Sequence, residues 1–339
     1  MAKDHSNRQR HGESVNKKLS HFFFVLAIMT SLVSAGCSHG EVAKQVATDQ
    51  PIVKNTPMLE LDGLIATKDL SVGSNRISFL LTSPNALVTA PSANVNSVFL
   101  GTPEVVKESV VAQFFLWPFG SRGSYVTEMS FDRSGDWRLD VDVQQHDGSI
   151  DSALIWLSIA ETSVVPALGS KPPMIANKTS REVSELKALT TRPIPDPDLY
   201  ELTIEEALET KKPLMIVFAS PAFCSSPTCG PQVETVEALK DQYKSRANFI
   251  HVEIYDNPEK IQGNISQAQF APIIERWGFT QLRDYSNGSW VFIIDSDGNI
   301  ASKYEGYAVQ EELQNGLEDV LYPENDGSKS EYIDQIRGG

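Results

Sequence analysis

Two cysteines, Cys224 and Cys229, stand with four residues between them in the run Phe-Cys-Ser-Ser-Pro-Thr-Cys-Gly-Pro. Of all the residues in this chain they are the best suited to chemistry. A thiolate is both a nucleophile and a soft metal ligand, so a close pair can exchange disulfides, staple a loop or hold Cu(I). Cys229 is followed by Gly230-Pro231, which reads as the opening of a helix. Unpaired N–H groups and the macrodipole favour a thiolate at such a terminus, and proline is pre-shaped for the first turn. That reasoning casts Cys229 as the attacking thiol and Cys224 as the resolving one.

The third cysteine, Cys37, belongs to a leader. Lys17 and Lys18 precede an apolar stretch over residues 19–33, long enough for a signal-peptide core and short for a membrane span. Ser34-Ala35-Gly36-Cys37 then resembles the bacterial lipobox, whose cysteine is lipidated before cleavage. The expectation is a signal peptide over residues 1–36, a lipid on Cys37, a polar tether over 37–57, and a bacterial cell-envelope protein facing the periplasm or the exterior. Export puts Cys224 and Cys229 in an oxidising compartment.

The formal net charge is −15, and the basic leader means the remainder is more acidic still. Such a surface argues against nucleic acid as a partner and against electrostatic adhesion to anionic lipid. The only membrane contact expected is the lipid anchor.

Two modules must position these residues. Over 58–160, alternating segments at 76–81, 110–117, 125–131, 137–143 and 153–159 recur between turn residues, a pattern that predicts an all-β immunoglobulin-like sandwich. Asp132-Arg133-Ser134-Gly135-Asp136 and His146-Asp147-Gly148-Ser149 read as hairpin turns, with the lone His146 no metal site. Trp137 and Trp156 read as core aromatics, and Asp140 and Asp142 as a solvated face. A Pro-rich stretch over 161–199 reads as a linker, and 323–339 as a polar tail.

Residues 200–322 alternate helix and strand: helix from 203 to 209, strand to 219, the cysteine loop, helix from 232, strand from 248, helix near 269–277, strands at 290–294 and 300–305, and a last helix from 310. Within them Phe218-Ala219-Ser220-Pro221-Ala222-Phe223-Cys224, Cys229-Gly230-Pro231, Phe249-Ile250-His251-Val252-Glu253 and Ser289-Trp290-Val291-Phe292-Ile293-Ile294-Asp295 follow one another. This α/β stretch resembles the thioredoxin superfamily. The resemblance implies a Cys224–Cys229 disulfide, no cofactor, and thiol–disulfide exchange with exported protein thiols or disulfides and an electron donor. It departs from the family in two places. The gap between the cysteines is four residues instead of two, and Ser289 stands where the family has a cis-proline.

Two other readings stay open. Exported thioredoxin-like proteins with widened motifs include Sco-type copper proteins, which implies Cys224, Cys229 and His251 as copper ligands. The pair can also be a structural disulfide in a non-catalytic interaction module. Asp295-Ser296-Asp297-Gly298-Asn299 resembles the start of a calcium loop but lies between two strands, so a hairpin turn is expected.

Overall fold

A computed structural model describes residues 61–323 apart from 85, 102, 119, 146, 262–263 and 286. The leader with Cys37, the expected tether, His146 and residues 324–339 lie outside the described residues. No helix of the described part is long and apolar enough to cross a membrane.

The first half is an antiparallel sheet of β1 (Asp62–Ile65), β2 (Gly73–Ser83), β3 (Ala86–Leu87), β4 (Ser92–Phe99), β5 (Val105–Leu116), β6 (Gly123–Phe131), β7 (Gly135–Gln144) and β8 (Ile150–Ile159). Hydrogen bonds link them in the order β1-β2-β6-β5-β4-β7-β8, with β3 on β2. The long β5 pairs with β4 over residues 105–113 and with β6 over 113–116, so the sheet turns a corner at Gln113. Its two ends meet again: Leu61 N–H donates to the Ser152 carbonyl, and Ser71 bridges Ala160. The result is a barrel-like wrap, consistent with a β-sandwich module, around Phe79, Tyr125, Phe131 and Trp137.

Strand alternation explains what is inside. On β7, Trp137, Leu139, Val141 and Val143 are buried, while Asp140 pairs with Arg138 and Asp142 accepts from Ser152 on the other face. On β8 the inward set is Ala153, Ile155, Leu157 and Ile159. Trp156 therefore points outward and is 61% exposed, which corrects its expected place in the core. The turn between β6 and β7 is not a hairpin either. Those strands do not pair, because β6 lies between β2 and β5 while β7 lies between β4 and β8, so residues 132–134 cross from one side of the wrap to the other. β7 and β8 do form a hairpin. β4 escaped the sequence reading because its buried Ala93 and Val95 are interrupted by asparagines.

The second half contains α1 (Ile204–Glu209), β9 (Leu214–Ala219), α2 (Cys229–Tyr243), β10 (Asn248–Glu253), α3 (Pro258–Ile261), α4 (Pro272–Arg276), β11 (Trp290–Ile294), β12 (Ile300–Glu305) and α5 (Gln310–Leu321). Four strands run in the order β10-β9-β11-β12, with β10 parallel to β9 and β11 antiparallel to it. β9 and β11 are buried at every position, as a sheet covered on both faces requires. Leu214, Ile216 and Phe218 face α1 and α4, whereas Met215, Val217 and Ala219 face α2 and α5. β11 and β12 are joined by the expected hairpin, in which Asn299 N–H caps the Asp295 carboxylate and Gly298 takes a φ of 82°.

The Pro-rich stretch expected as a linker is packed instead. Val165, Leu189 and Leu199 are buried in the two cores of the α/β half. Gly278 shows how close the approach is: a Cβ there would lie 2.3 Å from the Val164 carbonyl oxygen. Arg192 pairs with Glu237, and Asp196 and Asp198 both meet Lys240, which fixes the end of the stretch along α2. Proline punctuates a chain without saying whether it is free.

Candidate functional site

The cysteine loop begins where β9 ends and closes where α2 starts. Ser220 follows the C-terminal end of β9, and residues 221–228 turn back so that Cys229 is the first residue of α2. Pro231 sits in the first turn, where its missing N–H has no intrahelical acceptor to lose. Cys224 and Cys229 are joined as a disulfide.

Their environments differ. Cys229 is fully buried against β9 and α2. Cys224 is only half-buried. The Ser226 hydroxyl lies 3.5 Å from Cys224 Sγ and 2.6 Å from the Thr228 hydroxyl, so it can turn a hydrogen toward sulfur. The carbonyl oxygen of Asn287 lies 3.6 Å from Cys224 Sγ and 3.7 Å from Cys229 Sγ.

Asn287, absent from the sequence reading, holds the widened loop. Its side-chain amide donates to the Phe223 carbonyl at 2.7 Å and to the Tyr255 hydroxyl at 2.5 Å, and its Oδ1 accepts from Ser225 N–H at 2.7 Å. The residue is buried with a φ of 51°, a left-handed conformation asparagine adopts more readily than most residues. Two positions on, at the family's cis-proline place, Ser289 is fully buried and donates to the Gly306 carbonyl. An asparagine in a loop gives no sequence signal for such a clamp, since its partners are 32 to 64 residues away.

A second support comes from behind. Ala222 N–H donates to the Thr191 hydroxyl, which donates in turn to the buried carboxylate of Glu253 on β10. Thr191 N–H and Ile254 N–H also reach that carboxylate. Burial pushes Glu253 up to about 7, with the Thr191 bonds opposing. Thr191 is part of the Pro-rich stretch, so the packed segment helps shape the loop.

His251 does not join the pair. It is buried on β10, where its Nε2–H donates to the Ala219 carbonyl at 3.0 Å and its Nδ1 accepts from the Tyr200 hydroxyl at 2.7 Å. Burial holds its pKa down to about 4. Both nitrogens are used and the ring is neutral, which leaves no lone pair for a metal. Among the described residues no group of three His, Cys, Asp or Glu side chains is placed to hold a metal ion.

Two cavities border the loop's surroundings. One of about 150 Å³ lies behind it, lined by Tyr200, His251, Glu253 and Ile273. The other, about 180 Å³, lies in front, between the antiparallel sheet and the loop residues Ser225, Ser226 and Thr228.

No family model matches the chain, and no curated protein matches it. Among solved structures, it is similar to the crystal structure of a thiol:disulfide interchange protein of the thioredoxin family from Chlorobium tepidum TLS. The two are 14% identical, with 46% of this chain and 98% of that one covered and a TM-score of 0.30.

Proposed function

We propose that this chain is an exported, lipid-anchored thiol–disulfide oxidoreductase that exchanges electrons with protein thiols and disulfides through Cys224 and Cys229. The observation that best supports this is the asymmetry of the pair: a half-buried cysteine bonded to a fully buried one at the first turn of a helix. A staple has no use for one reachable sulfur, and a ring this small, five residues in separation, constrains little of the unfolded chain. On this reading the roles expected from the helix terminus alone are exchanged. Desolvation disfavours a thiolate at Cys229, while Cys224 is open to an incoming sulfur and has the Ser226 hydroxyl beside it.

In the reduced protein the Cys224 thiolate attacks one sulfur of a substrate disulfide. A mixed disulfide forms and one substrate thiolate leaves. The Cys229 thiol, whose sulfur lies 3.7 Å from the Asn287 carbonyl oxygen in the disulfide form, gives up its proton and attacks Cys224 Sγ. The second substrate thiolate leaves, and the protein's two thiols have become a disulfide as the substrate's disulfide became two thiols. A dithiol donor reverses the protein half of this exchange. No cofactor takes part. The copper reading loses His251, whose nitrogens are both engaged.

Alkylation of the single-cysteine variants tests the assignment. Cys229→Ser should leave a thiol at 224 that alkylates readily near neutral pH and traps mixed disulfides, and Cys224→Ser should leave a slow one. A faster thiol at 229 would restore the helix-terminus assignment, and midpoints above about 8 in both variants would favour an inert staple. The anchor is tested separately: Cys37→Ala should move the protein from the membrane fraction to the soluble one, and unchanged membrane association removes the lipid.

A further inference from the structure

The 180 Å³ cavity in front of the cysteine loop has walls from both halves of the chain. Ser78, Trp117 and Ser124 come from the antiparallel sheet or its edge, and Ser226, Thr228 and Gly288 from the loops around the disulfide. Ser226 ties this space to the chemistry, since its hydroxyl is 3.5 Å from Cys224 Sγ. The two halves are held in register by a polar seam. Arg76 forms a bidentate pair with Glu312, Lys303 pairs with Asp69, and Glu305 accepts the N–H groups of Lys68 and Asp69.

From this geometry we infer that the antiparallel sheet supplies a substrate side-chain pocket: the cysteine that exchanges with Cys224 carries beside it, in its own chain, a leucine- or phenylalanine-sized residue that seats in this cavity. The inference rests on the exchange reading above and specifies its substrate class. Three observations carry it. The first is reach, because a mixed disulfide fixes the substrate sulfur at Cys224 and the next residue of an extended chain is about 3.3 Å further on. The second is size, since an engineered cavity of about 150 Å³ takes up benzene, and this one is slightly larger. The third is charge. Lys68 and Glu305 border the space, and both are engaged within the protein: Lys68 Nζ donates to the Asp284 carbonyl, and one Glu305 carboxylate oxygen accepts two backbone N–H groups. Gly288 keeps the floor open, as a Cβ there would meet nothing within 4 Å. The sheet module is therefore part of the substrate site.

The test uses the full chain, reduced, and two peptides whose single cysteine is disulfide-bonded to a chromogenic aryl thiol. In one peptide leucine flanks the cysteine, in the other glycine. The Cys224 thiolate attacks the peptide sulfur and the aryl thiolate leaves. Cys229 then loses its proton, attacks Cys224 Sγ and frees the peptide thiolate. The leucine peptide should show a second-order rate constant for this single turnover at least about tenfold higher, as burial of one such side chain allows. That preference should shrink to within about twofold both in Trp117→Ala, which opens a wall, and in Ser124→Phe, which fills the space. Equal rates for the two peptides in the wild type would overturn the pocket and leave the exchange reading intact. No aryl thiolate from either peptide would overturn both. A preference that survives Trp117→Ala would also overturn the pocket, and this half-buried position decides the matter if Ser124→Phe does not fold.

Discussion

Asn287 makes three side-chain hydrogen bonds to two other segments while its own carbonyl faces both sulfurs, so a single residue links the shape of the loop to the disulfide. Substituting glycine tests that coupling cleanly, because glycine keeps the φ of 51° and the carbonyl but removes the amide clamp. Each lost bond is worth about 1 kcal/mol net. If about one of them favours the closed disulfide loop over the open dithiol, the reduction potential of Asn287→Gly should rise by about 20 mV. Equilibration against a dithiol buffer measures this, and an unchanged potential would show that the clamp is only structural. Asn287→Ala should in addition lose about 1–2 kcal/mol of stability from its left-handed backbone.

Among the elements, the segment over 161–199 has the largest consequence. It has no strand and only single turns of 3₁₀ helix, yet it carries Leu199 and Tyr200 into the core beneath α2 and sets Thr191 against the cysteine loop. Leu199 is fully buried, whereas Ile194 five residues earlier is 83% exposed. Leu199→Ala should therefore cost about 2–5 kcal/mol in urea unfolding, as buried leucines do elsewhere. Ile194→Ala should stay within about 0.5 kcal/mol. Equal, small effects from both would return the segment to the status of a free linker.

At the scale of the whole molecule, two buried carboxyls set the pH response. Glu253 lies behind the loop and Glu305 in the seam between the halves, and burial pushes each up to about 7. As pH rises from about 4.5 the unfolded chain loses these protons first, so stability falls until the folded carboxyls ionise near 7. His251 opposes this on the acid side: held down to about 4, it resists a proton that the unfolded chain accepts below about 6.5. With two groups against one, stability should be lower at pH about 8 than at about 5.5, and Glu305→Gln should reduce that difference by about 2 kcal/mol. Urea midpoints at the two pH values measure it. A wild type indifferent to pH in this window would mean that these carboxyls are better solvated than their burial implies.

Local chemistry was legible in the residues themselves. The continuous apolar runs of β9 and β11, the Cys-Gly-Pro opening of α2 and the Asp-Gly turn between β11 and β12 are short-range signals, and each produced the element it predicted. What depends on which distant segments meet was not legible. Trp156 reads like a core residue until the register of β8 turns it outward. His251 reads like a ligand until Tyr200 and Ala219 take its nitrogens. Cys229 gains a helix terminus from its neighbours in sequence but is buried by residues far from it. Asn287, Thr191 and Trp117 acquire their places at the site only when strands and loops from three regions of the chain pack together. Sequence neighbours fix backbone preference, whereas solvent access and hydrogen-bond partners are properties of the packed whole.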